Sequence, residues 1–375
     1  MRRFLISFML ILGSACVAGE SVASERVPEG GLRPRAAVDS KGVLHLLWLQ
    51  GDAAACNVRH ARRDGTGFAA ARTVNSVPRS AVALGTVRGA QLAVDGQGRA
   101  HILWVGTQGS TPRPADGSTP VLYSREQADG TFTEQRNLLG RATGVDGGGA
   151  IAAGQDGTVW VFWHAAAGAT DDAQRAAFAR CSRDGGATFG PESRLLAAAT
   201  GACACCEMGA GVDAAGGTTT LLRMAGASVY RDQIAVWTAS AKAKPVNLTL
   251  AAWRTPTCPM STCQVVTVGT RTWAAWECDG QVAWSEMRDG RALRQINAPG
   301  TADGRKHPSI AVDASGRVCL VWTEGTGWQR GGRLAWQVWN EAGTTDGDGG
   351  RTEGVPAWSL AAVVAMPTGG FTIFY

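Results

Sequence analysis

A short pattern that occurs seven times limits what this chain can fold into more than any other feature. Each copy is an apolar run, a turn with Asp or Gly, and a second apolar run that ends in a large residue. The copies are Arg33–Trp48, Gly89–Trp104, Gly149–Trp163, Gly209–Arg223, Cys263–Trp276, Ser309–Trp322 and Ser359–Tyr375. The turns supply a Gly that can adopt positive φ, so each copy is predicted to be a β-hairpin. Repeats spaced by roughly 50 residues indicate propellers, solenoids or arrays.

Most copies are followed by a third strand pattern. These patterns are Asn57–Gly65, Pro120–Gly130, Arg175–Gly186, Arg231–Ser240, Gly280–Gly290 and Gly332–Gly343. A short fourth strand, such as Pro191–Leu196, can complete the sheet. Four-stranded antiparallel units repeated around an axis form a β-propeller. The seventh hairpin has only two strands, so we expect an all-β propeller with six blades favoured and seven as the alternative.

The N-terminal segment has the pattern of an export signal. Two arginines precede the apolar run Phe4–Leu12 and a series of small residues, and cleavage after Ala18 or Ala23 fits the small-residue rule. Lipid attachment at Cys16 is an alternative. We therefore predict a signal peptide within residues 1–23 and one propeller domain over 24–375, in a protein that is periplasmic or extracellular and monomeric.

Charge and cysteine content restrict the partners and the compartment. The net charge is +5 over 375 residues, without a basic run that could follow a phosphate backbone, so nucleic acid is not expected as a partner. No second stretch is apolar enough to span a membrane. The chain has ten cysteines, which fits an oxidising compartment, and removal or lipidation of Cys16 leaves an odd number.

One segment carries a resemblance to a known family. Residues 182–189 (SRDGGATF) follow a third strand and resemble the Asp-box of sialidase-like, or BNR-repeat, propellers; residues 63–68 and 129–132 are eroded versions. In such a box the polar side chains bond the local backbone and the aromatic ring packs between blades. The resemblance implies a structural role for Ser182, Asp184, Gly186, Thr188 and Phe189.

The second half of the chain resembles a bacterial branch of exported sialidase-like proteins without an established activity. The segments that carry this resemblance are 203–206 (CACC), 230–232 (YRD), 258–262 (CPMST), 276–277 (WE), 306–308 (KHP), 322–328 (WTEGTGW), 331–332 (GG) and 355–359 (VPAWS).

Two sets of propeller loops emerge on one face, here called the loop face: those leading into each first strand and those joining second and third strands. We expect the site on this face because function sits on loops over a rigid scaffold. The loops into first strands supply Arg33, Arg35, Arg88, Cys203, Cys205, Cys206, Cys258, Met260, Lys306 and His307. The other loops supply Cys56, His164, Asp171, Asp172, Tyr230, Arg231, Asp232, Glu277, Cys278, Asp279, Glu324, Trp328 and Arg330.

The family resemblance implies a catalytic arrangement that can be compared with this sequence. Sialidases use three arginines for a carboxylate, a tyrosine nucleophile assisted by a glutamate, and an aspartic acid. Arg35 matches the position of the first arginine, and Arg223 and Arg231 are candidate partners. Tyr230 and Asp232 lie in the fourth repeat, whereas the family nucleophile comes late. Ion pairing of Arg35 and Arg231 with nearby carboxylates is the structural alternative.

Sulfur and carboxylate groups give two further hypotheses. Disulfides between neighbouring loops, for example from Cys205 or Cys206 to Cys258, are expected for seven cysteines of the loop face: Cys56, Cys203, Cys205, Cys206, Cys258, Cys263 and Cys278. The same thiols with Met208, Met260 and His307 are a soft donor set for copper or zinc. Cys181 and Cys319 lie within strand patterns and are expected to be buried.

Glu277, Asp279 and Glu324 are candidate acid and base residues of a glycosidase, or partners of Arg330 and Lys306. Lys306, His307, Trp328 and Arg330 are candidate ligand-binding residues. Trp328 suits stacking on a sugar ring or packing against the fold. The function that this sequence favours is binding of a glycan or small anion on the loop face, without a required cofactor. The alternatives are an exo-α-sialidase-like hydrolase and a copper- or zinc-binding propeller.

Overall fold

The chain folds into a ring of seven β-sheets. The computed structural model describes residues 21–65, 67–85, 87–166, 171–196, 201–226, 229–240, 243–301 and 304–375. Seven separate sheets follow one another along the chain, numbered here as blades 1 to 7. Besides strands, the described residues contain two short 3₁₀ helices, Pro28–Gly30 and Asp172–Gln174. No helix in this part of the chain has the length and hydropathy needed to cross a membrane.

Each of blades 1 to 6 is an antiparallel sheet with the strands in chain order from the axis outward. The strands of blades 1 to 3 are Leu32–Val38, Leu44–Asp52, Ala55–Arg63 and Arg72–Thr73; Gln91–Val94, Ala100–Val105, Val121–Arg125 and Arg136–Asn137; and Ala150–Ala153, Val159–Ala165, Ala176–Ser182 and Ser193–Arg194. Those of blades 4 to 6 are Gly209–Val212, Thr218–Arg223, Gln233–Thr238 and Val246–Ala251; Cys263–Val268, Arg271–Cys278, Gln281–Arg288, Arg291–Ala292 and Ile296–Asn297; and Arg305–Val312, Val318–Glu324, Gly332–Trp339 and Thr345–Val355.

Blade 7 joins the two ends of the chain. Its hairpin, Ala362–Ala365 and Phe371–Phe374, is extended by the N-terminal strand Val22–Glu25, which runs parallel to the last strand. The expectation of six blades is therefore wrong in this detail. The sequence showed two strands in the seventh repeat because the third lies at the other end of the chain, partly inside the segment assigned to the leader.

The turns that join the first and second strands share one hydrogen-bond pattern. Asp39 accepts the backbone N–H groups of Lys41 and Val43, both at 2.9 Å. Asp95, Asp213 and Asp313 make the same pair of bonds in blades 2, 4 and 6. The Gly that follows three residues later has positive φ, 82° at Gly42. These turns lie on the face opposite the loop face.

Aromatic residues bind neighbouring blades together. Trp48, Trp104, Trp163 and Trp276, near the ends of second strands, are at most 1 % exposed. In the 182–189 turn, Asp184 accepts the Thr188 N–H at 2.8 Å, and Phe189 packs edge-on against Tyr123 of blade 2. Phe68 contacts Phe374 of blade 7 in the same way. An aromatic side chain after a third strand thus packs against the preceding blade, also across the ring closure.

Small side chains of the first strands surround the axis. A channel of about 280 Å³ is lined by Ala and Val side chains from all seven blades, among them Ala36, Ala93, Ala152, Ala210 and Val363. Because these side chains are short, the blades approach one another closely.

We expect removal of residues 21–25 to lower the free energy of unfolding by about 3 kcal/mol, at roughly 1 kcal/mol for each backbone hydrogen bond lost. Phe371 donates to the Ser21 carbonyl at 2.8 Å and Tyr375 to that of Glu25 at 3.1 Å, and Glu25 also pairs with Arg63. The deletion would expose the edge of the last strand.

Guanidinium unfolding of chains that begin at Ser21 and at Arg26 tests this expectation, and equal midpoints would contradict it. The segment predicted as a leader, residues 1–23, overlaps this strand, in which Val22 and Ala23 pair with Phe371 and Thr372.

Candidate functional site

Two β-bulges turn basic side chains inward at the loop-face end of the axis. Arg33 precedes Pro34 in blade 1 and His307 precedes Pro308 in blade 6, and each has a φ of 54°. The pairing register shifts at both places. Arg33, Arg35, Lys306 and His307 therefore lie at the beginning of first strands rather than in free loops. A bulge re-aims the side chain that follows it, and both Arg33 and His307 are buried.

An Arg–Glu–Arg triad occupies the centre. Glu207, in the segment that leads into blade 4, accepts Arg33 Nη2 at 2.6 Å through one carboxylate oxygen and Arg35 Nη2 through the other. The Arg33 and Glu207 side chains are each 1 % exposed. Burial lowers the pKa of Arg33 to about 10, against the attraction of Glu207. Arg33 Nε and Nη1 are buried without a hydrogen-bond partner.

Sequence reasoning missed Glu207. It lies directly after Cys206, but a single glutamate in a loop carries no pattern, and its importance follows only from the two arginines that blade 1 brings to it. Arg35, which also bonds Gln91 at 3.2 Å, is thus engaged within the fold. This outcome corresponds to the structural alternative named for it, ion pairing with a nearby carboxylate.

A second group of charges lies beside the triad. Arg223 bonds the Ser261 hydroxyl at 3.0 Å, the Arg231 carbonyl at 2.7 Å and the Glu277 carbonyl. Glu277 is buried, with Lys306 Nζ 3.9 Å from one carboxylate oxygen and no partner for the other. Burial raises the pKa of Glu277 to about 7, although Lys306 and Arg223 oppose this.

We call these six residues the central cluster: Arg33, Arg35, Arg223, Lys306, Glu207 and Glu277. It holds four cationic groups against two carboxyl groups, so its net charge is positive. His307 adds no charge: burial lowers its pKa well below the usual range, and its Nδ1 lies 3.3 Å from the Thr262 hydroxyl.

Other catalytic candidates have partners of their own. The Tyr230 ring is covered by the Arg254 guanidinium, 3.8 Å from the ring centre. Arg231 donates to the Tyr230 carbonyl, and Asp232 accepts the backbone N–H of Trp253. None of the contacts described for the three tyrosines joins a hydroxyl to a glutamate.

Glu324 lies within blade 6 and bonds to residues of the same blade. Its carboxylate accepts Trp322 Nε1 and Arg333 Nε, both at 2.9 Å, with Arg305 at 3.5 Å. Its ion-pair partners are thus neither Arg330 nor Lys306. Burial would raise the pKa of Glu324, but the hydrogen bonds from Trp322 and Arg333 outweigh it and lower the pKa.

The cysteines of the loop face contain one disulfide among the described residues, Cys205–Cys258, one of the two pairings that the sequence suggested. Cys203, Cys206 and Cys263 are buried free thiols, and Cys56 and Cys278 are also free, so the disulfide expectation is wrong for five of the seven cysteines. Cys319 is buried as expected, whereas Cys181 is only half-buried. The sulfurs of Cys203, Cys205 and Cys206 lie within 4.8 Å of one another, which suits a soft metal if Cys205 were free.

Met260 and His307 do not extend this sulfur group. Met260 has a φ of 48°, and its methyl group lies 3.4 Å from where a Cβ on Gly85 would be. The Trp328 ring is 3.8 Å from that same position, so the Met260 methyl group and Trp328 both lie beside Gly85. His307 bonds Thr262, as above.

An aromatic pair with one exposed member stands on the loop face beside the central cluster. Trp328 is 64 % exposed and meets the edge of Trp358, with ring centres 4.7 Å apart. Ser359, the residue after Trp358, accepts the backbone N–H of Arg33 at 2.9 Å. On the other side, Pro259 accepts Lys306 Nζ at 2.6 Å and is followed by Met260. The pair is therefore connected to the cluster on both sides.

A cavity of about 590 Å³ opens on the same face, and its lining includes Arg79, Arg88, Gln108 and Asp146. Val82 and Arg88 line this cavity. Gly85, which lies between them in the chain, is next to the Trp328 ring. Arg88 pairs with Asp146. Arg330 lies in the Trp328 loop, where its carbonyl accepts the Gly327 N–H. Through Gly85 the aromatic pair and this cavity are neighbours on the loop face, and together with Arg330 they are here called the loop-face groove. A further cavity, of about 320 Å³, lies between blades 3 and 4 on the opposite face.

Comparisons with known proteins give the fold. No protein-family model and no curated protein matches the chain. Among solved structures, the Penicillium chrysogenum α-L-arabinanase is 12 % identical with a TM-score of 0.51, over 85 % of this chain and 96 % of that one. The Aleuria aurantia lectin is 10 % identical with a TM-score of 0.51, over 87 % and 95 %. The Hadza microbial sialidase Hz136 is 13 % identical with a TM-score of 0.48, over 83 % of this chain and 66 % of its own length. The chain is thus a β-propeller whose structural neighbours include sialidases and glycan-binding proteins.

Proposed function

We propose that the protein binds an acidic glycan, or a small organic anion of the same chemistry, in the loop-face groove. The observation that carries the proposal is the exposed Trp328 ring beside a cluster with more cations than carboxylates. An indole face left open to solvent provides a flat apolar platform for a sugar ring. Arginine side chains bind carboxylates through two parallel hydrogen bonds.

In the groove, neighbouring residues contact the sugar ring and the acidic group separately. The sugar ring lies on Trp328, and its acidic group contacts Arg330 or the arginines of the adjacent cavity, Arg79 and Arg88. The central cluster acts from below through its positive potential, because most of its side chains are buried beneath the surface. Carbohydrate binding by the lectin of similar fold is compatible with this assignment. The Cys205–Cys258 disulfide is compatible with an exported protein.

Titration with free sugars tests the proposal. We expect N-acetylneuraminic acid and galacturonic acid to quench tryptophan fluorescence at concentrations at least tenfold lower than galactose or glucose, a difference of about 1.4 kcal/mol. The Trp328→Ala variant should lose the quench and weaken acid-sugar binding at least tenfold.

Trp160→Ala is the matched control, because Trp160 is half-buried at the cavity on the opposite face. Equal affinity for acidic and neutral sugars would reject the role of charge. Unchanged binding by Trp328→Ala would reject the groove as the site.

A further inference from the structure

Four sulfur atoms on the loop face are arranged in order from solvent to interior. Cys258 is exposed, Cys205 is half-buried, and Cys203 and Cys206 are buried. The first two form the disulfide. The Cys203 sulfur lies 3.3 Å from the Cys205 sulfur and 3.4 Å from that of Cys206. A buried dithiol thus stands in contact with a disulfide whose outer end faces solvent.

The local backbone keeps the two buried thiols together. Cys203 and Cys206 are three residues apart, and the Cys206 N–H donates to the Cys203 carbonyl at 3.2 Å, which closes a turn. The Cys203 N–H donates to the Arg223 carbonyl at 2.9 Å and so fixes this turn to blade 4. Two thiols at this spacing in a closed turn are positioned to form a disulfide with each other.

The order of the contacts sets the order of the exchange. Cys203 is the thiol next to the Cys205 sulfur, and Cys206 is next to Cys203. Because the attacking species in disulfide exchange is a thiolate, each of these two thiols gives up its proton before it attacks, and each departing sulfur takes one up.

We propose that Cys203, Cys205, Cys206 and Cys258 form an intramolecular disulfide relay. In the first step, Cys203 attacks the Cys205 sulfur; the 203–205 bond forms, the 205–258 bond breaks, and Cys258 leaves as a thiolate at the surface. In the second step, Cys206 attacks the Cys203 sulfur and releases Cys205. One disulfide is lost and one is gained, and the protons of Cys203 and Cys206 end on Cys258 and Cys205. No external oxidant or reductant is consumed.

The relay gives the exposed cysteine a reactive state that a static disulfide lacks. With the disulfide on Cys203 and Cys206, the thiols of Cys205 and Cys258 are free on the loop face, available to a disulfide or thiol-reactive partner. The metal hypothesis uses the same atoms differently, because it requires Cys203, Cys205 and Cys206 to be reduced together. The two therefore predict different sulfur oxidation states.

Trapping of Cys258 tests the relay in the purified full chain. The protein is prepared without reductant, shown by acid-quenched mapping to contain the 205–258 disulfide, and then incubated at pH 8 with iodoacetamide. Trypsin places Cys203, Cys205 and Cys206 in the peptide 195–223, and Cys258 in the peptide 255–271. We expect carbamidomethylated Cys258 together with a disulfide inside 195–223, without any added thiol.

Two variants separate the steps. Cys203→Ser should slow labelling of Cys258 at least tenfold, because the first attack is lost. Cys206→Ser should still permit labelling but should leave a 203–205 disulfide. Cys319→Ser, which removes a buried thiol from blade 6, is the control and should behave as the wild type. The wild-type experiment stands by itself if a variant does not fold.

Two results would overturn the relay. In one, Cys258 remains joined to Cys205 while the half-buried free thiol of Cys278 is fully labelled in the same sample. In the other, all four cysteines are reduced as isolated and the protein contains stoichiometric copper or zinc.

Discussion

The free energy of unfolding is expected to fall by about 2 kcal/mol when the pH is lowered from 6.5 to 5.5, because a loss of about 3 kcal/mol from buried neutral histidines, which become protonated only in the unfolded chain, exceeds the opposite effect of one buried glutamate. All five histidines are buried, and burial lowers the pKa of each. A histidine whose pKa is lowered by folding stabilises the fold above its unfolded value near 6.5 and loses that contribution as the pH falls. Each strongly shifted histidine contributes roughly 1 kcal/mol over this unit.

The histidines lie at both faces of the propeller, so the loss is not confined to one segment. His45 Nδ1 and His60 Nε2 lie 3.1 Å apart in blade 1, where protonation of both would place two charges together. His101 contacts the Tyr123 hydroxyl at 2.8 Å, and His164 Nε2 the Cys206 carbonyl at 3.1 Å. His45, His60 and His307 have the largest shifts and dominate the expected slope.

Glu277 acts in the opposite direction. Its raised pKa, about 7, means that the fold binds a proton that the unfolded chain releases above pH 4.5. This group therefore stabilises the fold at low pH and loses its contribution as the pH rises toward 7, which offsets about 1 kcal/mol of the histidine effect between pH 6.5 and 5.5.

Guanidinium unfolding at pH 7.5, 6.5 and 5.5 measures the net effect of the histidines and Glu277 on the free energy of unfolding. His307→Gln should make the decrease shallower by about 1 kcal/mol, and Glu277→Gln should make it steeper by about the same amount. A free energy of unfolding that is constant from pH 6.5 to 5.5 would show that the histidines titrate alike in both states.

The propeller follows from the sequence because its signals are local and repeated. A hairpin turn with Asp39 and Gly42 is encoded within four residues, and its copies recur in register along the chain. Ring closure is different: Val22–Glu25 pairs with Phe371–Phe374, more than 340 residues away. A strand without a hairpin partner nearby has no such local signal, so the favoured number of six blades was wrong.

The site was predictable as a face but not as an arrangement. Loop topology places Arg35, Lys306 and Glu277 on one face, and the structure brings all three into the central cluster. Glu207 and the inward turn of Arg33 depend on contacts between blades 1 and 4, for which a single sequence gives no periodic signal. Conversely, Glu324 was also predicted on the loop face, yet its side chain accepts hydrogen bonds from Arg333 and Trp322 within blade 6.

The buried triad also explains why charged groups can occupy the propeller axis at all. Removing Glu207 would leave the Arg33 guanidinium, 1 % exposed, without a counter-charge. We expect Glu207→Ala to lower the free energy of unfolding by about 3 to 5 kcal/mol, the effect of breaking a buried ion pair from one side. Arg35 has 15 % of its side chain exposed, so it can turn partly to solvent, and the cost falls mainly on Arg33.

Glu29→Ala is the matched control, because Glu29 pairs with Arg59 at the surface at 3.1 Å and its loss should cost at most about 1 kcal/mol. Arg33→Met in the Glu207→Leu background removes both buried charges and should recover most of the stability that Glu207→Ala loses. Urea unfolding of these four chains at pH 7.5 separates the cases. If Glu207→Ala matches Glu29→Ala, Arg33 finds another partner or solvent. A large loss restored by the double variant would show that Glu207 is retained to hold the arginines at the axis, and that apolar packing alone would suffice for stability there.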